Sequence, residues 1–96
     1  MNIILEQYGG LAGVRRRFML DTSGLGEARD EVEGLARVVG AQPDAPGPPH
    51  PDQIGYTLVI DGEDGARAVH ATDTLASAAF RRLAEHVRKR GAAGVA

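Results

Sequence analysis

An α+β domain is the fold class the sequence predicts, and three observations carry that prediction. Short runs alternate apolar and polar residues, the period changes twice to that of a helix, and each helical stretch follows a pair of alternating runs. The order is therefore β-β-α-β-β-α, two copies of hairpin plus helix with no obvious identity between them. A four-stranded, mainly antiparallel sheet with both helices packed on one face buries both helical stripes. The 96 residues suffice for one domain and not two. Residues 1–90 form that domain, and 91–96 are read as a flexible C-terminal tail.

Each element has its own signal. In Asn2–Tyr8, Ile3, Leu5 and Gln7 share one side and Ile4, Glu6 and Tyr8 the other. In Val14–Leu20, Val14, Arg16, Phe18 and Leu20 oppose Arg15, Arg17 and Met19. The link Gly9–Gly13 makes these two runs a β-hairpin, and it is longer than the tightest turns, so it should project. Asp21-Thr22-Ser23-Gly24 offers capping oxygens. From Gly26 to Val39 the residues Ala28, Val32, Leu35, Ala36 and Val39 fall on one helical face, with Arg29, Glu33 and Arg37 opposite. Gly40 ends that helix. All five prolines then fall within Ala41–Asp52, a stiff connection and not an element. Ile54–Asp61 alternates again, Asp61–Gly65 is a hairpin turn, and Ala66–Thr72 returns as the fourth strand. Asp73-Thr74 supplies a cap, and Leu75–Arg90 reads as a second helix with the stripe Ala76, Phe80, Leu83, Ala84, Val87.

Composition excludes several classes of function. No cysteine is present, which removes disulfides, thiolate metal sites and cysteine nucleophiles. A net charge of −2 gives no general attraction to nucleic acid or anionic membranes. No apolar run approaches the roughly 20 residues of a membrane span, and the N-terminus lacks the basic region of a signal peptide, so the cytoplasm is the expected compartment.

The motifs point away from catalysis. Gly9-Gly10-Leu11-Ala12-Gly13 is not G-x-G-x-x-G, lacks the Lys-Ser/Thr of a P-loop, and leads into a strand, so no helix dipole faces an anion there. His50, His70 and His86 lie in three different elements, which argues against a metal site. Ser23 and Ser77, the only serines, are explained as loop or cap chemistry and as a first-turn helix residue. No catalytic residue, metal or cofactor is expected. What the bland reading of the loop as a plain turn leaves unexplained is Leu11, an apolar residue at a projecting tip flanked by glycines, which is a common form of interaction site. Arg15, Arg16 and Arg17 look like a basic patch, but strand neighbours alternate faces, so Arg16 points away and only Arg15 and Arg17 could join the arginines of the second helix in a binding surface for nucleic acid or another protein; a solvated charged surface is the reading preferred.

"GGLAGVRRRFMLDTSGL", an acidic amphipathic helix, a proline-rich connection and "IGYTLVIDGEDG", in that order, resemble the emfourin family over roughly residues 3 to 90. The most specific blocks are Gly9–Gly13 with Arg15, Arg16 and Asp21-Thr22, and then Tyr56-Thr57-Leu58. Members of that family are small bacterial inhibitors of thermolysin-like zinc metalloproteases of the protealysin type. The resemblance implies a cytoplasmic protease inhibitor, monomeric when free, whose protease-binding residues are Gly9, Gly10, Leu11, Ala12, Gly13, Arg15 and Arg16. The proline-rich loop 42–52 is the rival contact site, and a binding module using the arginine-rich surface is the rival function.

Overall fold

The computed structural model describes residues 1–9, 15–42, 54–62, 65–72 and 76–95, with backbone alone for residues 54 and 92–95. Strands β1 (Asn2–Gly9) and β2 (Arg16–Asp21) precede helix α1 (Arg29–Gly40), and β3 (Ile54–Gly62) and β4 (Gly65–Thr72) precede helix α2 (Ala78–Arg90). The predicted order β-β-α-β-β-α is thus observed, with antiparallel pairing throughout. The alternation in β1 explains its faces: Ile3 and Leu5 are fully buried under the helices, and Ile4 and Glu6 turn to the open face.

The sheet runs β4-β3-β1-β2-β5, so β1 is central. It pairs with β2 from Asn2↔Asp21 to Gln7↔Arg16 and with β3 from Asn2↔Asp61 to Gly9↔Ile54. Both neighbours are antiparallel to β1, so β2 and β3 are parallel to each other and α1 crosses over the sheet between them. A fifth strand, β5 (Ala92–Val95), lies within the stretch 91–96 read from sequence as a tail. Its backbone pairs with the outer edge of β2, from Met19↔Ala92 to Arg16↔Val95. An unpaired strand edge offers a row of amides and carbonyls to any nearby chain, and pairing of this kind needs no apolar pattern in the added segment.

One core lies between sheet and helices. Leu20, Leu58, Ile60, Val69 and Ala71 join Ile3 and Leu5 from the sheet; Val32, Ala36 and Val39 come from α1, and Phe80, Leu83, Ala84 and Val87 from α2. The helix stripes are those the sequence predicts, while their starts are not. The first turn of α1 is a separate 3₁₀ turn at Gly26–Ala28. Ser77 proves to be the N-cap of α2 and not a first-turn residue: its Oγ accepts from Phe80 N–H at 3.1 Å. The cap expected of Asp73-Thr74 falls outside the described residues.

A polar junction ties β2 to α1. The side chain of Thr22 is fully buried, and its Oγ1 donates to Glu33 Oε2 at 2.6 Å. Thr22 N–H donates to Met1 O at 3.0 Å, and Arg29 Nε donates to Glu33 Oε2 at 2.9 Å. The Thr22 hydroxyl first, and then the Arg29 guanidinium, hold the Glu33 carboxyl below the usual carboxylate range. A carboxyl whose pKa falls on folding stabilises the fold above its unfolded-state pKa, and that contribution disappears as pH drops through the folded-state value. Glu33→Gln should therefore lower the urea midpoint at pH 7, and the gap from wild type should close as pH falls below the carboxylate range. Urea titrations at pH 7 and pH 3 check this; an equal gap at both would assign the effect to packing.

Candidate functional site

The hairpin β1–β2 carries the residues singled out as protease-binding. Gly9 ends β1 at φ +97°, a left-handed conformation that a side chain disfavours, so the chain leaves the strand through a glycine for a physical reason. Arg15 directly precedes β2, and Arg16 is its first residue; both are exposed. Gly10, Leu11, Ala12 and Gly13 lie outside the described residues, as does most of the rival loop 42–52. What is described is the base on which the loop stands. Gly9 is held against Ile54, and Arg16 lies between Gln7 and Val95.

Strand alternation divides the arginine run. Arg16 shares the helix-facing side with Phe18 and Leu20, while Arg17 turns to the open face, where its Nε stands 3.9 Å from Glu6 Oε1. The basic residues of α2 pack on the opposite side of the sheet from Arg17, and most have partners. Arg82 reaches Glu31 Oε1 at 3.0 Å, Lys89 reaches Glu85 at 2.9 Å, and Arg90 Nε donates to His86 Nδ1 at 3.3 Å. The Lys89 ammonium holds the Glu85 carboxyl down. The basic residues considered from sequence as one surface are thus dispersed over two faces, and Arg17, Arg82 and Lys89 stand beside carboxylates.

One feature at the loop end was not read from sequence. Tyr56 lies in the same cross-strand row as Gln7 and Arg16, and the Arg88 guanidinium sits 5.8 Å from its ring centroid. Phe80 and Ala84 join them around a cavity of about 320 Å³. Tyr56 and Arg88 belong to different elements, and no spacing in the chain announces their stacking.

His70 lies on the open face, with its Nδ1 2.8 Å from Thr57 Oγ1. Among the described residues no group of three or more His, Asp or Glu side chains is placed to hold a metal ion. No helix among them is long and apolar enough to cross a membrane.

No curated protein matches the chain. No solved structure matches it either. The emfourin family model matches residues 5–88, from the middle of β1 almost to the end of α2. The chain therefore belongs to the emfourin family, a family of inhibitors rather than of enzymes, and membership is consistent with a protease-inhibitor role.

Proposed function

We propose that this protein inhibits a thermolysin-like zinc metalloprotease of the protealysin type by offering the loop Gly9–Gly13, with Leu11 at its tip, to the active-site cleft. The observation that carries this reading is the support beneath the loop. Its two stems are locked by six consecutive β1–β2 pairs, and β1 is backed by eight pairs with β3. A loop whose ends are fixed loses less freedom on binding than a free peptide, so more of its contact energy appears as affinity.

Thermolysin-like proteases cleave before large apolar residues, and Gly10-Leu11 is such a bond. Seating Leu11 in the apolar pocket that takes those residues contributes about 1.5–3 kcal/mol, enough for an anchor. Holding the same bond away from the attack geometry keeps hydrolysis slow, because reaction depends on alignment within a fraction of an ångström. Arg15 and Arg16, exposed beside the loop and without an ion pair among the described residues, add rim charge that acts mainly on the association rate. The protein is monomeric when free and works in the cytoplasm.

Leu11→Glu tests the mechanism. Wild type should inhibit a purified thermolysin-like protease, and the variant should inhibit it at least about tenfold less well, the loss expected when an apolar pocket must take a carboxylate. Equal inhibition by Leu11→Glu would remove the loop mechanism and leave the inhibitor role standing. Failure of wild type against every such enzyme would remove the target class.

A further inference from the structure

We infer that the cleft between α1 and the β3–β4 hairpin binds a small anion bearing two or more oxyanion groups, phosphate or carboxylate. The cleft lies at the end of the sheet opposite the Gly9 loop, so the inference does not rest on the inhibitor reading. It encloses about 650 Å³, a size ordinary for a small-molecule site. Its floor is apolar, made by Ala36 and Ile60, and its walls carry the guanidinium groups of Arg29, Arg37 and Arg67.

Among the described residues the charges do not cancel. The carboxylate of Glu33 is already committed to Thr22 and Arg29, both on the N-terminal side of it. Arg37 stands one helical turn further on, at the far side of Glu33, and has no ion pair among the described residues. Arg67 donates through Nη2 to the backbone carbonyl of Gln42 at 2.9 Å, which positions the group without neutralising it. Asp61 also borders the cleft, but it follows the inward-facing Ile60 on β3, and alternation turns its side chain to the open face. Among the described residues, two cations thus face one cleft from different elements with no anion between them. Arginine presents its donors in a planar fork that fits carboxylate and phosphate oxygens two at a time.

The test is a ¹H–¹⁵N titration of the full chain with inorganic pyrophosphate and, separately, with citrate, at constant ionic strength set by chloride. Saturable shifts are expected at the amides of Arg37, Gly40, Gly62 and Gly65. Preference for pyrophosphate identifies phosphate as the oxyanion, and preference for citrate identifies carboxylate. The double variant Arg37→Gln/Arg67→Gln should bind at least about tenfold more weakly, the scale of losing charge-assisted hydrogen bonds. If the double variant does not fold, Arg37→Gln alone decides, since that side chain is exposed: weaker binding supports the site, and unchanged binding overturns it. Shifts that never saturate, that centre on α2, or that persist equally in the double variant also overturn it.

Discussion

Phe80→Ala is expected to cost about 3–5 kcal/mol of folding stability, the range for truncating a buried aromatic. Phe80 is 2% exposed and, of the chain's four aromatic residues, the only one in the buried core. It packs with Leu83, Ala84 and Val87 on α2, in a core otherwise made of Val, Ile, Leu and Ala. Small side chains on fixed strands cannot swing in to fill the space, so the cavity persists. A domain of this size has a total stability of about 5–15 kcal/mol, so one side chain carries a large share of it. The thermal midpoint should fall by upwards of about 12 °C. The helix cap is untouched, because Ser77 accepts from the Phe80 backbone and not from its side chain. Thermal unfolding followed by circular dichroism measures the shift; a fall of less than about 5 °C would mean that the core repacks around the vacancy.

Gly91→Ala is the second large expected effect, and it arises from space and not from backbone conformation. Gly91 has φ −83° and ψ 165°, which any residue adopts. A Cβ there would lie 2.5 Å from Val87 O and 2.6 Å from Met19 O. Both are backbone oxygens, one in α2 and one in β2, so neither can rotate away as a side-chain end would. Overpacking of this kind costs about 1–3 kcal/mol. The cheapest relief is for β5 to leave the edge of β2, since that strand is held by only four pairs. Hydrogen exchange should then show protection lost at residues 92–95 and retained in β1 and β3. Protection unchanged at β5 would show that the helix terminus yields instead.

The arrangement of elements was legible because it depends on short-range chemistry. Alternation in Asn2–Tyr8 and Ile54–Asp61 marks which side chains turn inward, and the stripes Val32-Ala36-Val39 and Phe80-Leu83-Val87 mark which helix faces are buried. Asp21 could be read as a cap from its residue type, and its Oδ1 accepts from Ser23 N–H at 3.0 Å, the bond that chiefly holds its carboxyl below the usual range. Element starts were less legible. A helix pattern begins wherever apolar spacing begins, whereas the observed start depends on which oxygen captures the first free amides; at α2 that was Ser77, inside the stretch read as helix.

The candidate site divides in the same way. Gly9–Gly13 stood out because three glycines around one leucine have no structural need of the leucine, and the positive φ of Gly9 answers to a residue type visible in the chain. The stacking of Arg88 on Tyr56 and the meeting of Arg37 with Arg67 had no such mark, because each joins residues from different elements. The sequence by itself determined the strands β1 to β4, the two helices and their buried faces, since each follows from the period of apolar residues. Only the tertiary structure decided that β1 is central, that Ala92–Val95 adds a fifth strand, and which cations share a cleft. Strand neighbours are chosen by backbone hydrogen bonds that any side chain permits, so their choice leaves no pattern in the chain to read.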